Sequence, residues 1–187
     1  MISQIFDQDA FKILSLFSMS PGSRLNRKEI KDRTKLNNVP LDKALAKLIS
    51  SNMLVRERNY YSVNFNEAIS QDLMKICKLQ HTKLKEIPFD VYLLLVDLVS
   101  DMSSQKGIEA FLFGSYSKLV YKKDSDVDIA ILTVKRLDKK RIEKLAEKLE
   151  KIYKKNIEIQ YFDKKEFYKN KKDPLIKSIL KDGTKLI

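Results

Sequence analysis

Residues 114–129 have the sequence GSYSKLVYKKDSDVDI and follow a short apolar run at 108–113. Two further apolar, β-prone runs lie at 126–133 and 157–162, and an amphipathic segment at 138–153 joins them. This alternation predicts a strand, a turn into a short helix, a second strand, a helix and a third strand. We therefore expect the C-terminal part of the chain to form an α/β domain with a small mixed sheet.

The turn at Gly114 and Ser115 has the residue types that a phosphate-binding corner needs. Glycine lets the backbone approach a ligand closely at the end of a strand. The helix start that follows presents unpaired N–H groups and a dipole that favours a phosphate, and the Ser115 hydroxyl adds a donor. A Gly-Ser pair alone is more often an ordinary turn, so the functional interpretation depends on the acidic residues downstream.

Three acidic residues follow this turn on two predicted strands. Asp126 and Asp128 are two residues apart on one strand, so both side chains are expected on one face. Adjacent carboxylates repel each other unless a cation lies between them, and hard oxygen ligands suit Mg²⁺. On the third strand Glu158 alternates with isoleucines and projects to the opposite face from them. If the strands are neighbours in register, the three groups converge on a site for two-metal phosphoryl transfer.

The segment resembles the nucleotidyltransferase domain of the DNA polymerase β superfamily, in which Gly-Ser precedes Asp-x-Asp and a later strand carries a third carboxylate. Ten residues separate Ser115 from Asp126, which is the interval of the minimal nucleotidyltransferase branch. Residues 173–187 also resemble the final helix, glycine stop and short strand of that branch. The resemblance covers residues 106–187.

The resemblance implies a nucleoside triphosphate, ATP or another, as the substrate. Gly114 and Ser115 would hold it, and Lys118 would supply a cationic contact. Many relatives have Arg-Gly where this chain has Lys118-Leu119, so the loop after the turn departs from the usual pattern.

The same resemblance assigns catalysis to three carboxylates, which would also bind two Mg²⁺ ions: Asp126, Asp128 and Glu158. Glu158, where Asp is more usual, would help to deprotonate the acceptor hydroxyl. The expected reaction moves a nucleoside monophosphate onto a hydroxyl of a protein or RNA acceptor and releases pyrophosphate.

The first third of the chain predicts three helices followed by a hairpin. Asn26 with Glu29 three positions later is typical of a capped helix start, and an apolar stripe at 41–49 marks the third helix. Two β-prone runs around a polar link at 57–59 predict the hairpin. This order of elements resembles a winged helix-turn-helix domain over residues 8–65.

In winged-helix proteins the third helix enters the major groove of DNA and the wing touches the backbone. The cations that this resemblance assigns to DNA contacts are Lys43, Lys47, Arg56 and Arg58. Winged helices also serve as dimerisation or protein-docking modules, and both interpretations stay open at this point.

The whole chain is thus predicted to be an α+β protein with a winged-helix domain at 1–66, a helical connector at 67–105 and a nucleotidyltransferase domain at 106–187. The connector contains an apolar helix opened by Pro88, which suits either the centre of the second domain or a homodimer interface. The single histidine, His81, lacks partners for a catalytic triad and is expected on the polar side of its helix, as a surface or packing residue.

Charge and cysteine content narrow the class of protein. Of the net charge of +12, residues 135–187 hold 18 Lys and Arg against 9 Asp and Glu, or +9. Such a surface attracts polyanions, and lysine richness also serves solubility. The single cysteine, Cys77, excludes an internal disulfide, and no signal-peptide pattern follows Met1, so we expect a cytoplasmic location. The most apolar stretch, 91–99, is too short to cross a bilayer, so no membrane partner is expected.

Two functions from different classes follow. The first is a Mg²⁺-dependent nucleotidyltransferase whose acceptor is a protein hydroxyl, such as a tyrosine of a toxin-like partner, or an RNA end. The second is a winged-helix DNA-binding transcriptional regulator whose nucleotidyltransferase-like domain senses nucleotide or dimerises.

Overall fold

The computed structural model describes residues 7–103, 107–134 and 137–187. The chain forms two compact units, one up to Lys83 and one over Leu84–Ile187. Both combine helices with a small sheet, which confirms the α+β class. The domain limits at 66/67 and 105/106 stay predictions. In these three ranges no helix is both long enough and apolar enough to cross a membrane.

The N-terminal unit contains three helices, a hairpin and a further helix. Its elements are α1 (Gln8–Met19), β1 (Leu25–Asn26), α2 (Arg27–Thr34), α3 (Asn38–Ser50), β2 (Leu54–Glu57), β3 (Tyr60–Val63) and α4 (Ala68–Lys83). The strands form an antiparallel sheet in the order β1–β3–β2. The helices and the hairpin follow the order expected from the sequence, and the two-residue strand β1 is an addition to it.

Local chemistry explains the start of α2 and the position of α4. The Glu29 N–H donates to Asn26 Oδ1 at 2.9 Å, and the Asn26 N–H donates to Glu29 Oε2 at 2.7 Å, which confirms the predicted capping box. The helix α4 packs along α1 and buries Cys77. His81 is buried as well, so of the two roles expected for it, surface or packing, the structure shows packing, and more of α4 is covered than its apolar stripe indicates.

The C-terminal unit carries a four-stranded mixed sheet. Its elements are α5 (Phe89–Met102), β4 (Ile108–Leu112), α6 (Gly114–Lys118), β5 (Val127–Thr133), α7 (Lys139–Tyr153), β6 (Ile157–Asp163), α8 (Lys164–Lys169), α9 (Pro174–Asp182) and β7 (Thr184–Lys185). The strand order is β6–β5–β4–β7, with β5 and β6 parallel and the other pairs antiparallel. The predicted mixed sheet and the final helix followed by a short strand are confirmed.

One face of this sheet determines where acidic side chains emerge. Buried apolar side chains of β4, of the residue directly after it and of β5 pack there against α8 and α9: Phe111, Phe113, Ala130, Leu132, Phe167, Ile176 and Ile179. Asp128 is two residues before Ala130 on β5, so it lies on the same face. The apolar cluster therefore ends at the position where the carboxylates begin.

The helix α7 joins the parallel strands β5 and β6. It packs against α5, where the Tyr153 hydroxyl donates to Asp97 at 2.6 Å.

Candidate active site

Acidic side chains of two neighbouring strands come together at the start of the parallel pair β5–β6. Asp128 is the register partner of Glu158. Side chains at paired positions of parallel strands project to the same face, so these two carboxylates are neighbours. Asp126 lies directly before β5, which begins at Val127 and not at Asp126 as expected. Asp126 and Glu158 are exposed, whereas Asp128 is half-buried.

The turn at Gly114 lies directly against Asp128. The Phe113 N–H donates to the Asp128 carbonyl at 3.0 Å, and the Ser115 N–H donates to the Asp128 carboxylate. Gly114 has a φ of +68°, and a Cβ at this residue would overlap the Asp128 carboxylate. Both the backbone conformation and the available space therefore require glycine. The group that lies against this turn is a carboxylate of the chain itself, and the predicted close approach to a ligand stays a prediction.

The site has an uncompensated negative charge. Burial raises the pKa of Asp128, and the neighbouring Glu158 and Asp126 raise it further, while the hydrogen bond from the Ser115 N–H acts in the opposite direction. Among the described residues, no lysine or arginine forms an ion pair with these three carboxylates. Glu158 Oε1 accepts a hydrogen bond from Gln160 Nε2 at 3.0 Å. In a chain of net charge +12, such a group of like charges is typical of a site that binds a cation.

The oxygen atoms of these carboxylates are of the chemical type that binds Mg²⁺. Within the three described ranges, no group of three or more Asp, Glu, His or Cys side chains is arranged closely enough to hold a metal ion. The carboxylate oxygens of Asp128 and Glu158 are nevertheless the hard ligands that Mg²⁺ prefers, and a divalent cation would relieve their repulsion. The residues therefore fit the ion, and a centre that also includes Asp126 stays a prediction.

Lys118 lies at the end of α6 and has a partner there. Its Nζ is 3.8 Å from Asp182 Oδ2, at the end of α9. Lys85 Nζ binds both helix ends, because it donates to the Ser117 carbonyl at 2.5 Å and to the Asp182 carbonyl at 3.4 Å. A cavity of about 420 Å³ lies between these groups and Leu119. The contact of Lys118 with a nucleotide stays a prediction.

The four cations assigned to DNA contacts differ in their surroundings. Lys47 Nζ forms an ion pair with Asp7 at 2.6 Å. Arg56 Nε donates to the Arg58 carbonyl at 3.0 Å, and its guanidinium lies 5.6 Å from the centre of the Tyr61 ring. Lys43 and the side chain of Arg58 are exposed. Two of the four cations, Lys47 and Arg56, therefore already have partners within the N-terminal unit.

One residue beside the site had no signal in the sequence. Lys155 Nζ donates to the Tyr116 hydroxyl at 3.1 Å and to the Lys123 carbonyl at 2.6 Å. It is one of the many lysines after residue 135, and no motif distinguishes it from the others. Only the fold brings it to Tyr116, which is 39 residues away along the chain.

A comparison with protein families identifies a match in the C-terminal half of the chain. Residues 98–187 match the family model described as "Polymerase beta, Nucleotidyltransferase". The matched segment contains the Gly114 turn and all three carboxylates. No curated protein and no solved structure matches the chain.

Proposed function

Because residues 98–187 match the polymerase beta nucleotidyltransferase family model, we propose that this protein transfers a nucleoside monophosphate from ATP or another nucleoside triphosphate to a hydroxyl group. Nucleotidyl transfer in general follows from the family. The nucleotide, the acceptor and the use of Mg²⁺ are the parts that we propose.

One observation carries the proposal. Asp128 and Glu158 are register partners on adjacent parallel strands, and the Gly114 turn lies against Asp128. No described cation neutralises them, although the chain has 37 Lys and Arg residues. An arrangement that keeps like charges together costs stability, and a bound divalent ion would offset that cost.

The carboxylates divide the chemistry between them in this proposal. Asp126, Asp128 and Glu158 would hold Mg²⁺, which when bound neutralises the triphosphate and lowers the pKa of an attacking oxygen. The acceptor oxygen forms a bond to the α-phosphorus, the bond from that phosphorus to the bridging oxygen breaks, and pyrophosphate leaves. Glu158, which is exposed, would accept the proton of the acceptor hydroxyl.

The turn after β4 would orient the triphosphate. The N-cap residue Phe113 makes no side-chain hydrogen bond to α6, and the Asp128 carboxylate lies against the first turn of this helix. The Ser115 N–H already donates to Asp128, so the Ser115 hydroxyl is the group we assign to the phosphates. Lys118, whose ion pair with Asp182 is long at 3.8 Å, would supply the cationic contact.

The acceptor is proposed to be a protein or RNA hydroxyl. The resemblance to minimal nucleotidyltransferases favours a protein side chain, such as a tyrosine of a toxin-like partner. The charge of residues 135–187, 18 Lys and Arg against 9 Asp and Glu, favours an RNA end as the next choice because cations attract phosphates.

The test is transfer of label from nucleoside triphosphates labelled at the α-phosphate. The full chain is incubated with each triphosphate and Mg²⁺, alone, with bulk RNA and with the proteins encoded beside it, and pyrophosphate release is measured in parallel. We expect Asp126→Asn and Asp128→Asn each to reduce transfer roughly 100-fold or more. Glu109→Gln, which removes a carboxylate that is already paired with lysines, is the matched control and should keep the activity.

Absence of labelled product with every acceptor, together with no binding of triphosphate, would contradict the proposal. A transcriptional regulator remains the alternative, and the exposed Lys43 and Arg58 favour it. It predicts tight, sequence-selective binding to duplex DNA that is unchanged in Asp126→Asn and Asp128→Asn. Salt titration of that binding would measure how many phosphates are contacted.

A further inference from the structure

The segment between α6 and β5 ends on Asp126 and is held against α6 by an aromatic pair. Tyr116 is fully buried and stacks on Tyr121, with ring centroids 4.7 Å apart and an interplanar angle of 17°. Within the segment, the Lys122 N–H donates to Ser125 Oγ at 2.7 Å. Stacking and local hydrogen bonds therefore fold the segment back over the helix that carries the Gly-Ser turn.

Lys155 ties this segment to α6 a second time. Its ammonium donates to the Tyr116 hydroxyl at 3.1 Å and to the Lys123 carbonyl at 2.6 Å, and it lies 5.8 Å from the centre of the Tyr116 ring. Hydrogen bonds from a charged donor are shorter and stronger than those between neutral groups. Lys155 is half-buried, which strengthens them further.

The next residue of the same turn adds a third tie. The Val127 N–H donates to the Asn156 carbonyl at 2.9 Å. The turn at 155–156 therefore contacts the chain at Lys123, shortly before Asp126, and at Val127, directly after it. This turn holds the backbone on both sides of Asp126. Of these two contacts, the one at Lys123 is made by a side chain, and the one at Val127 is made by backbone atoms.

We propose that Lys155 is a positioning residue that fixes the backbone of Asp126 for cation binding. The proposal rests on the proposed function, because it gives Asp126 a cation to bind. This role and a purely electrostatic role of Lys155 predict opposite changes in cation affinity when Lys155 is replaced. A lysine near a cation site repels the cation, so removal of its charge alone would strengthen cation binding. Loss of positioning would weaken it.

The first measurement is amide hydrogen exchange of the full chain without metal. In Lys155→Met, which keeps most of the aliphatic stem, we expect exchange at 122–127 to accelerate about tenfold. Lys151→Met removes the same charge from an exposed site on α7 and should leave these amides unchanged. Lys155→Arg keeps a charged donor and should restore most of the protection. Wild-type exchange rates at 122–127 in Lys155→Met would overturn the proposal.

The second measurement is calorimetric titration of the same variants with Mn²⁺ alone. We expect Lys155→Met to weaken Mn²⁺ binding about tenfold, Lys155→Arg to restore it and Lys151→Met to leave it unchanged or slightly tighter. Equal or tighter binding by Lys155→Met would overturn the positioning role. If the wild-type protein binds no Mn²⁺ and Asp126→Asn changes nothing, the proposed function fails instead, and the exchange rates still decide the role of Lys155. Circular dichroism establishes that each variant is folded.

Discussion

Two carboxylates on the same face of one sheet have opposite electrostatic surroundings. Glu109 on β4 accepts from Lys164 at 2.7 Å and from the Tyr168 hydroxyl at 2.6 Å, and it lies 3.3 Å from Lys185. Burial works against its ionisation, yet these hydrogen bonds together lower the pKa of Glu109 to about 2. At the other end of the face, burial and two neighbouring carboxylates raise the pKa of Asp128.

The lysines of this unit neutralise Glu109 and leave Asp128 beside other carboxylates. Lysines are abundant in this unit, and two of them surround Glu109, which joins β4 to α8 and β7. In the described chain, Asp128 has no such partner. One end of the face is therefore complete without a ligand, while the other has charge that a ligand could balance, as sites that bind cations do.

The largest expected effect comes from removing each carboxylate in turn. Glu109→Gln should lower the free energy of unfolding by about 1–2 kcal/mol, because it leaves two ammonium groups without the negative charge that they share. Asp128→Asn should raise it by about 0.2–1 kcal/mol, because like charges on one sheet face repel. Urea unfolding of the full chain, followed by tyrosine fluorescence and circular dichroism, measures both. A loss of stability in both variants would show that Asp128 is not destabilised by its neighbouring carboxylates.

The pH dependence of stability sharpens the same contrast. The pKa of Glu109 falls from an ordinary 4.5 to about 2 on folding, so its contribution is present above about pH 4.5 and is lost as the pH falls towards 2. The pKa of Asp128 rises above 3.8 on folding, so its contribution is present in acid and is lost as the pH rises through the raised value.

Urea unfolding between pH 2 and 7 therefore has two expected outcomes. The deficit of Glu109→Gln should shrink below pH 4.5, and the advantage of Asp128→Asn should disappear in acid, where Asp128 is protonated. The wild-type chain measured at the same pH values is the reference. Parallel curves for the two variants would show that the two carboxylates do not differ as the structure indicates.

The smallest expected effect concerns the backbone beside the site. Leu119 caps α6 with a φ of 58°, in the left-handed region, and its side chain is half exposed. Left-handed backbone costs a residue with a Cβ about 1–2 kcal/mol, and glycine avoids this at an entropic cost of its own. Leu119→Gly should therefore raise the free energy of unfolding by up to about 1 kcal/mol, whereas Leu119→Ala should not. A loss of stability in Leu119→Gly would show that the site end has no such backbone cost.

Much of the fold was accessible from local pattern. The spacing of apolar residues predicted the three longer strands and α7, and Asn26 with Glu29 predicted the start of α2. These features depend on neighbours within a few residues, where periodicity and capping chemistry act. The two-residue strands β1 and β7 have no comparable pattern, since two residues contain no period, although the resemblance led us to expect a short strand after the final helix.

The site was accessible only in part. Alternation of apolar and polar residues placed Asp128 and Glu158 on strand faces. Their pairing depends on which strands are neighbours, and the sequence pattern does not determine the strand order. Contacts between distant side chains were not accessible at all. Lys47 binds Asp7 across 40 residues, and Lys155 reaches Tyr116 across 39, because tertiary packing and not local pattern brings them together.

Because Gly114 and Asp128 are in contact, the residue tolerated at one position depends on the residue at the other. Any larger residue at 114 must displace the carboxylate at 128, and a smaller residue at 128 would free the space above 114. A lineage that lost the carboxylate could then accept a side chain at 114 with the left-handed backbone as the remaining cost. Recovery of the original pair would require glycine at 114 and a carboxylate at 128 together. The carboxylate is therefore lost more easily than it is regained.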